Sequence, residues 1–517
     1  MAIDVIGSSL ISVIELLLVA SVVSLVVRRV KLPYSIALVI TGLALSFLEV
    51  IKGFSLTPEL LFTIFLPALL FEAAISLNTE KLIKHKRSVS VFAFAGTLIS
   101  ISVIGLALHL LLKLPLQIAF LFGAIIAPTD PISVISVFKE MGVTKRLTTI
   151  IEGEALFNDG VSIVLFKVLL GLLLAQQITL ANASLLFLKN VIGGIGVGFL
   201  AGYIFVKVIK RVDEPFVELT LTTALAYGSY IIAEYVTVSG IIAVVFAGLY
   251  INFFSSRVMS ASTRLAVSSN WEYVSFVINS LIFLMIGLEI KIGTLMLHWQ
   301  PIALAFAVVL LSRVIAVYPL SAILSRTGRK IDMSWNHVLV WGGLRGSVSM
   351  VLALSLPASI AQRNLLLSMC FGVVLFSLLL QGLTIKPFIS LLGLKGKERD
   401  KRYQILLGQL LVNISAKAEV EKLYRQGAIS KKVYDDVIKD YDELNKKTEK
   451  KIEALIRESP ELELEQINII KSVAFDAGKD AIREAYRNEL ISEDVMKELL
   501  TELDQRIAEL RLSPSSD

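Results

Sequence analysis

The chain of 517 residues is 55% apolar, has a mean hydropathy of +0.75 and carries a formal net charge of +6. Such hydropathy excludes an ordinary soluble domain and a disordered chain, and places the sequence among polytopic membrane proteins. The charge is unevenly held: residues 395–517 contain 23 basic and 26 acidic residues, leaving 27 basic and 18 acidic in residues 1–394. A basic membrane domain (1–394) is therefore expected to precede a mildly acidic, helical tail (395–517). One cysteine, Cys370, and four scattered histidines (His85, His109, His298, His337) provide neither a disulfide framework nor a zinc-ligand spacing. With no phosphate-binding glycine loop and no serine-nucleophile elbow in the sequence, no enzyme activity, cofactor or nucleic-acid partner is expected.

Apolar runs near the 17 to 25 residues or so needed to cross about 30 Å of hydrocarbon lie at 8–27, 33–50, 58–77, 88–112, 115–138 and 147–175. Further runs follow at 184–209, 215–236, 238–254, 271–290, 300–324, 335–356 and 364–392, giving 13 predicted spans in all. The odd count puts the termini on opposite sides. Basic residues crowd the connections after the odd-numbered spans: Arg28/Arg29/Lys31, Lys81/Lys84/Lys86/Arg87, Lys139/Lys145/Arg146, Lys207/Lys210/Arg211, Arg257/Arg264, Arg326/Arg329/Lys330 and the run from Lys395/Lys397. The other connections hold scattered charges such as Lys52, Lys113, Lys291 and Arg363. Because Lys and Arg accumulate on the cytoplasmic face, the N-terminus is expected outside and the tail inside. Asp4 and the lack of an early Lys or Arg argue against a cleaved signal peptide.

The fifth span is interrupted by Ala127-Pro128-Thr129-Asp130-Pro131, where two prolines remove backbone donors and disfavour helix in the residues before them. Irregular backbone at membrane depth must be buried in protein or line a cavity. The twelfth span holds a second interruption, Gly342-Gly343-Leu344-Arg345-Gly346-Ser347. An odd offset between these spans makes them run in opposite directions, as in two inverted six-helix repeats with crossed broken helices. The sixth span carries acids in residues 152–159, EGEALFND. A carboxylate in hydrocarbon costs about 2.5 to 3.5 kcal/mol on insertion scales, so it marks a functional site. Asn158 follows Glu154 by one helical turn, while Asp159 is rotated about 100° further. Glu154 needs a buried partner, and Arg345 is the expected one.

Four ordered motifs, LPALLFEAA (66–74), APTDPISV (127–134), EGEALFNDG (152–160) and GGLRGSVSMVLALSLP (342–357), resemble those of the sodium/proton exchangers of the cation/proton antiporter superfamily, NhaP-type antiporters in particular. The resemblance covers nearly all of residues 1–394. It implies a 13-helix fold with a mobile six-helix core, a second domain forming a homodimer interface, and exchange of Na⁺ for H⁺ in the plasma membrane. Li⁺, K⁺ or a broad monovalent preference, and from other classes a cation channel or a membrane sensor, are the alternatives. By matching motif, Asp159 is the ion- and proton-binding carboxylate, with Na⁺ held at Asp159 and Thr129 and the site shaped by Asn158. Asp130, also counted among the ion- and proton-binding residues, either offsets the positive ends of the broken helices or coordinates the ion directly, and Glu154 with Arg345 forms a structural ion pair. The Asn158-Asp159 pair matches the electroneutral branch, hence one H⁺ per cation. Ala155 stands where the pattern usually has Ser, and Ala68 where it often has a second Pro.

Glu72, Glu234 and Glu272 read equally as transport residues or as cavity-mouth or snorkelling charges, and are left outside the core site. Arg313 and Lys167 are intramembrane cations without an assigned partner, Lys167 reaching toward the outer interface. Trp271 and Trp335, at span starts, read as interfacial anchors. In the tail, residues 395–402 (KGKERDKR) lie at the inner leaflet, and 404–425 and 431–457 have helical periodicity. Tyr424-Arg425, Ile429-Ser430 and Val433 recur 62 residues later as Tyr486-Arg487, Ile491-Ser492 and Val495, which predicts two related hairpins with Ser430 and Ser492 as N-caps.

Overall fold

A computed structural model describes residues 2–30, 33–48, 58–175, 180–212, 214–289, 292–326, 331–395 and 398–458, with scattered residues between 478 and 502. The chain divides into two compact units, Met1–Lys395 and Gly396–Asp517. In the first unit the helices are α1 (Ala2–Val30), α2 (Tyr34–Phe47), α3 (Pro58–Leu60), α4 (Leu66–Ser76), α5 (Thr79–Ser90), α6 (Thr97–Leu112), α7 (Leu116–Ile126), α8 (Ile132–Met141), α9 (Lys145–Ala175) and α10 (Leu180–Ile209). They continue as α11 (Pro215–Tyr235), α12 (Gly240–Val258), α13 (Ala261–Glu289), α14 (Ile292–Leu297), α15 (Trp299–Arg326), α16 (Met333–Trp341), α17 (Ser347–Leu354), α18 (Arg363–Phe376) and α19 (Leu383–Leu391). No strand occurs among the described residues.

Seven helical runs among the described residues, including Thr79–Leu112, Lys145–Leu174 and Trp299–Arg326, are long and apolar enough to cross a membrane. Shorter apolar helices such as Tyr34–Phe47 and Leu116–Ile126 stand beside them. The first unit is a multi-pass membrane domain whose helices must be held by close packing, since lipid supplies no hydrophobic drive between them. Gly42 on α2 and Gly287 on α13 illustrate the contact. A Cβ on Gly42 would lie 2.1 Å from the Leu284 carbonyl oxygen, and one on Gly287 2.3 Å from that of Val39.

Both interruptions expected from sequence are present. The α7 helix ends at Ile126 and α8 begins at Ile132; α16 ends at Trp341 and α17 begins at Ser347. The two breaks touch, because the Asp130 amide donates to the Leu344 carbonyl at 2.8 Å. Two π-helical stretches flank this region in the chain: Val91–Gly96 joins α5 to α6, and Ser377–Gly382 joins α18 to α19. Such stretches widen a helix by one residue and recur at functional sites.

Trp271 and Trp335 are not surface anchors. The α13 helix begins ten residues before Trp271, so the indole reaches the interior. There it is 2% exposed, packs on Phe71 with centroids 4.7 Å apart and donates to Thr222 Oγ1 at 3.1 Å. Trp335 is buried beneath the Arg146 guanidinium. Lys167 has a partner, Glu234, at 2.7 Å.

In the second unit α20 (Glu398–Arg425) and α21 (Lys431–Glu458) pack together around Tyr403, Leu406, Ile452 and Leu455. The turn between them is chemically explicit. Gly427, at φ +73°, closes α20 as Ala428 N bonds to Leu423 O and Gly427 N to Tyr424 O, both at 3.0 Å. Ser430 Oγ then accepts from Val433 N at 3.5 Å. Leu490 N bonds to Ala485 O and Val495 N to Ser492 Oγ, 62 residues after their counterparts. Arg487, one of the recurring residues, lies outside the described residues.

Candidate functional site

The break between α7 and α8 leaves carbonyls without intrahelical donors, and two neighbouring elements satisfy them. Arg345, 1% exposed, donates from Nη1 to the Ala127 carbonyl at 2.5 Å and to the Pro128 carbonyl at 3.1 Å. A cation at a helix C-terminus complements the negative end of its dipole. Asp130 serves the opposite pole: its Oδ1 accepts from Ile132 N at 2.9 Å, in the first turn of α8. Gly346 is what lets the second break approach, since a Cβ there would lie 2.4 Å from Asp130 Cβ.

Asn158 enters from α9. Its Nδ2 donates to the Ala127 carbonyl at 3.0 Å and to Thr129 Oγ1 at 3.4 Å. Its Oδ1 accepts from Thr97 Oγ1 at 2.8 Å and from Ser162 Oγ at 2.9 Å. A carbonyl can only accept, so the nitrogen must be the atom facing Ala127, and the amide orientation follows from chemistry. All four hydrogen-bonding positions of Asn158 are occupied. The residue ties α9 to the first break and offers no free oxygen.

Asp159 is different. Its Oδ1 is buried with no hydrogen-bond partner among the described residues, as is Asp130 Oδ2, and the Thr129 amide faces its carboxylate. Asp159 lines a cavity of about 540 Å³ together with Thr129, Asp130 and Ala155. The structure thus brings Thr129, Asp130, Asn158 and Asp159, the four residues singled out from sequence, into one neighbourhood.

The expected Glu154–Arg345 pair is not formed. Glu154 Oε1 instead accepts from Arg313 Nη1 at 2.5 Å, with both side chains buried. Arg345 is committed to the Ala127 and Pro128 carbonyls, which leaves Arg313 on α15 to neutralise the acid. Arg313 also donates from Nη2 to the Leu339 carbonyl at 2.8 Å, so the ion pair fastens α9 to the last turn of α16. The signal for this role in the sequence is Arg313 itself, a cation on an otherwise apolar span.

The cavity holds other charges that sequence reasoning leaves outside the site. Glu72, Glu152 and Glu272 line the same space as Asp159, with Lys139 beside them. Glu72 and Glu272 read from sequence as peripheral because nothing local joins α4, α9 and α13 around one cavity. Support for the second break is equally hidden. In the π-helical stretch after α18, Ser377 Oγ accepts from Arg345 N at 3.0 Å and donates to Gln381 Oε1 at 2.8 Å, while Gln381 Nε2 donates to the Trp341 carbonyl at 2.9 Å.

Comparison with known proteins gives a consistent result. Residues 16–391 match the family described as sodium/hydrogen exchanger, transmembrane. The chain is 44% identical over 376 residues to the Na(+)/H(+) antiporter ApNhaP of Aphanothece halophytica, covering 72% of each chain. It is 35% identical over 497 residues to the Na(+)/H(+) antiporter NhaG of Bacillus atrophaeus, covering 92% of this chain and 93% of that one. The fold is similar to the solved structure of the sodium proton antiporter MjNhaP1 from Methanocaldococcus jannaschii at pH 8, with a TM-score of 0.65 and 24% identity over 76% of this chain and 99% of the other.

Proposed function

Because the chain belongs to the sodium/hydrogen exchanger family, we propose that it exchanges Na⁺ for H⁺, one for one, across the plasma membrane by alternating access around Asp159. The observation that carries this reading is the unpartnered, buried Asp159 Oδ1 on the cavity wall, beside a helix break. A carboxylate there is costly as a bare anion, so it holds either a proton or a cation. Hard monovalent cations take oxygen ligands, supplied by the Asp159 carboxylate and the Thr129 hydroxyl. Proton and cation compete for one acid, and a single titrating group with Asn158 beside it gives an electroneutral cycle.

Asp130 and Arg345 supply opposite charges to the half-helix ends, so their charges offset each other and the site is neutral when Asp159 holds either ion. In this reading residues 1–394 form 13 spans as two inverted six-helix repeats, and two copies associate as a homodimer. The alternating basic connections put the N-terminus outside and residues 395–517 in the cytoplasm. They also open the cavity to the cytoplasm, because Lys139 and Glu152 flank the α8–α9 connection. The recurrent turn geometry at Ser430 and Ser492 supports two related helical hairpins in the tail.

Ala155 favours a second reading, in which K⁺ or Li⁺ is also exchanged, since the side chain facing the cavity one turn before Asp159 brings no oxygen. Proteoliposomes loaded with a pH dye, given Na⁺, Li⁺ or K⁺ with the membrane potential clamped, test both. Saturable cation-driven proton movement that Asp159→Asn abolishes, with the variant still folded, is the expected outcome. Undiminished Na⁺-driven proton flux in Asp159→Asn would remove the assignment.

A further inference from the structure

We infer that Thr97 and Ser162 are positioning residues for cation binding, holding the Asn158 amide in the one orientation that lets its nitrogen anchor both the Ala127 carbonyl and the Thr129 hydroxyl. The inference deepens the reading of Thr129 and Asp159 as the cation site and rests on it.

The π-helical stretch Val91–Gly96 is the structural origin of this arrangement. The extra residue in that turn delivers Thr97, 3% exposed, against α9, where its hydroxyl reaches Asn158 Oδ1 at 2.8 Å. Ser162, fully buried one turn after Asn158, brings a second hydroxyl to the same oxygen at 2.9 Å. Two donors on Oδ1 fix the amide with Nδ2 toward the first break, where it bonds to Ala127 O and Thr129 Oγ1.

The consequence lies in the donor inventory of a hydroxyl, which has one hydrogen and two lone pairs. Thr129 Oγ1 accepts from Asn158, so one lone pair is used and the second remains for a cation. With the amide turned over, Asn158 Oδ1 would oppose the Ala127 carbonyl. Two acceptors would then face each other, and the bond that ties the first break, and Thr129 with it, to α9 would be lost. Thr97 and Ser162 therefore set cation affinity without touching the cation.

The two donors are not equal. Thr97 has one hydroxyl hydrogen and two acceptors within reach, Asn158 Oδ1 and the Ala93 carbonyl at 2.5 Å. Ser162 has Asn158 Oδ1 as its hydrogen-bond acceptor among the described residues. Losing Ser162 should therefore cost more.

The test is the Na⁺ concentration dependence of exchange in proteoliposomes for Thr97→Val, Ser162→Ala, the double variant, and the hydroxyl-retaining Thr97→Ser. The expected result is an apparent KM raised about threefold by either single change, with Ser162→Ala the larger, and about tenfold by both. Maximal rate should stay within about twofold of the parent and Thr97→Ser should retain the parent KM. A purely structural role would lower the amount of active protein and the maximal rate, leaving KM unmoved. A parent KM in the double variant, or a raised KM that Thr97→Ser shares, overturns the inference. If the double variant does not accumulate, the two single variants decide by the same criterion. Asp159→Asn run alongside separates the claims: an inactive Asp159→Asn with a parent KM in Ser162→Ala removes only the positioning role, whereas an active Asp159→Asn removes the site assignment itself.

Discussion

The two helix breaks solve one problem with opposite materials. Residues 127–131 are unwound by prolines, which forbid helix, whereas residues 342–346 are unwound around glycines, which allow close approach. The first break is supported from outside by Arg345 and Asn158, and the second by Arg313, Ser377 and Gln381. Each break lies near a π-helical stretch that delivers polar side chains, Thr97 just after one and Ser377 with Gln381 within the other. Their chemistry diverges at the centre: among the described residues, the unpartnered buried atoms around the first break include carboxylate oxygens of Asp130 and Asp159, while the second brings guanidinium nitrogens of Arg345. In the proposed reading the acceptor-rich break receives the cation, while the donor-rich break holds its partner's orphan carbonyls.

The largest expected effect comes from breaking the Arg313 support. Arg313→Met leaves Glu154 buried and unpaired, a loss of about 3 to 5 kcal/mol, whereas Glu154→Met combined with Arg313→Met should recover most of it. Arg345→Met removes bonds to two carbonyls but leaves the Glu154 pair intact, so its cost should be lower, about 1 to 3 kcal/mol. Thermal unfolding in detergent measures the order. Equal losses, or a larger loss for Arg345→Met, would show that the two arginines do not divide the work in this way.

A smaller effect is expected where the breaks touch. Gly346→Ala puts a Cβ 2.4 Å from Asp130 Cβ, a clash with the base of a side chain anchored to the α8 N-terminus. Gly343→Ala instead meets Arg313 Nε at 2.8 Å, a smaller overlap that a slight displacement of the guanidinium within its Glu154 and Leu339 bonds relieves. The first should cost about 1 to 3 kcal/mol and depress exchange, with the second milder on both. Reversal of that order in unfolding and transport assays would place the close approach elsewhere.

The first break is more legible in the sequence than the second because proline chemistry is local. Pro128 and Pro131 announce an interruption to any reader of the sequence, and Asn158 and Asp159 stand out because polar groups in hydrocarbon are costly. The Glu154 partner is misassigned from sequence because two guanidiniums are available, and choosing between them requires knowing that Arg345 is consumed by Ala127 and Pro128. Thr97, Ser162, Ser377 and Gln381 carry no such cost signal. Hydroxyls and amides are tolerated in membrane helices; π-helical turns bring Thr97, Ser377 and Gln381 into place, and Ser162 stands one turn after Asn158 on α9. The indole of Trp271 is misplaced for a related reason: its helix starts at Ala261, and the early, polar turns of α13 hide that from a hydropathy reading.

The smallest expected effect, and the one that most sharpens the acceptor-rich side, is Ala155→Ser. Ala155 and Asp159 are four residues apart on α9 and so share a face, and both line the cavity. A serine hydroxyl there can donate its hydrogen back to the Ile151 carbonyl, as serines in helices do, which leaves its lone pairs toward the cavity. The variant should change stability by less than about 0.5 kcal/mol. It should lower the apparent KM for Na⁺ by about threefold, the value of one added oxygen contact, and do so unequally for Na⁺, Li⁺ and K⁺ because an added oxygen favours the cation whose size suits the tightened site. An unchanged KM for all three cations would mean that the ion binds on the Thr129 side of Asp159, away from the α9 face that Ala155 occupies.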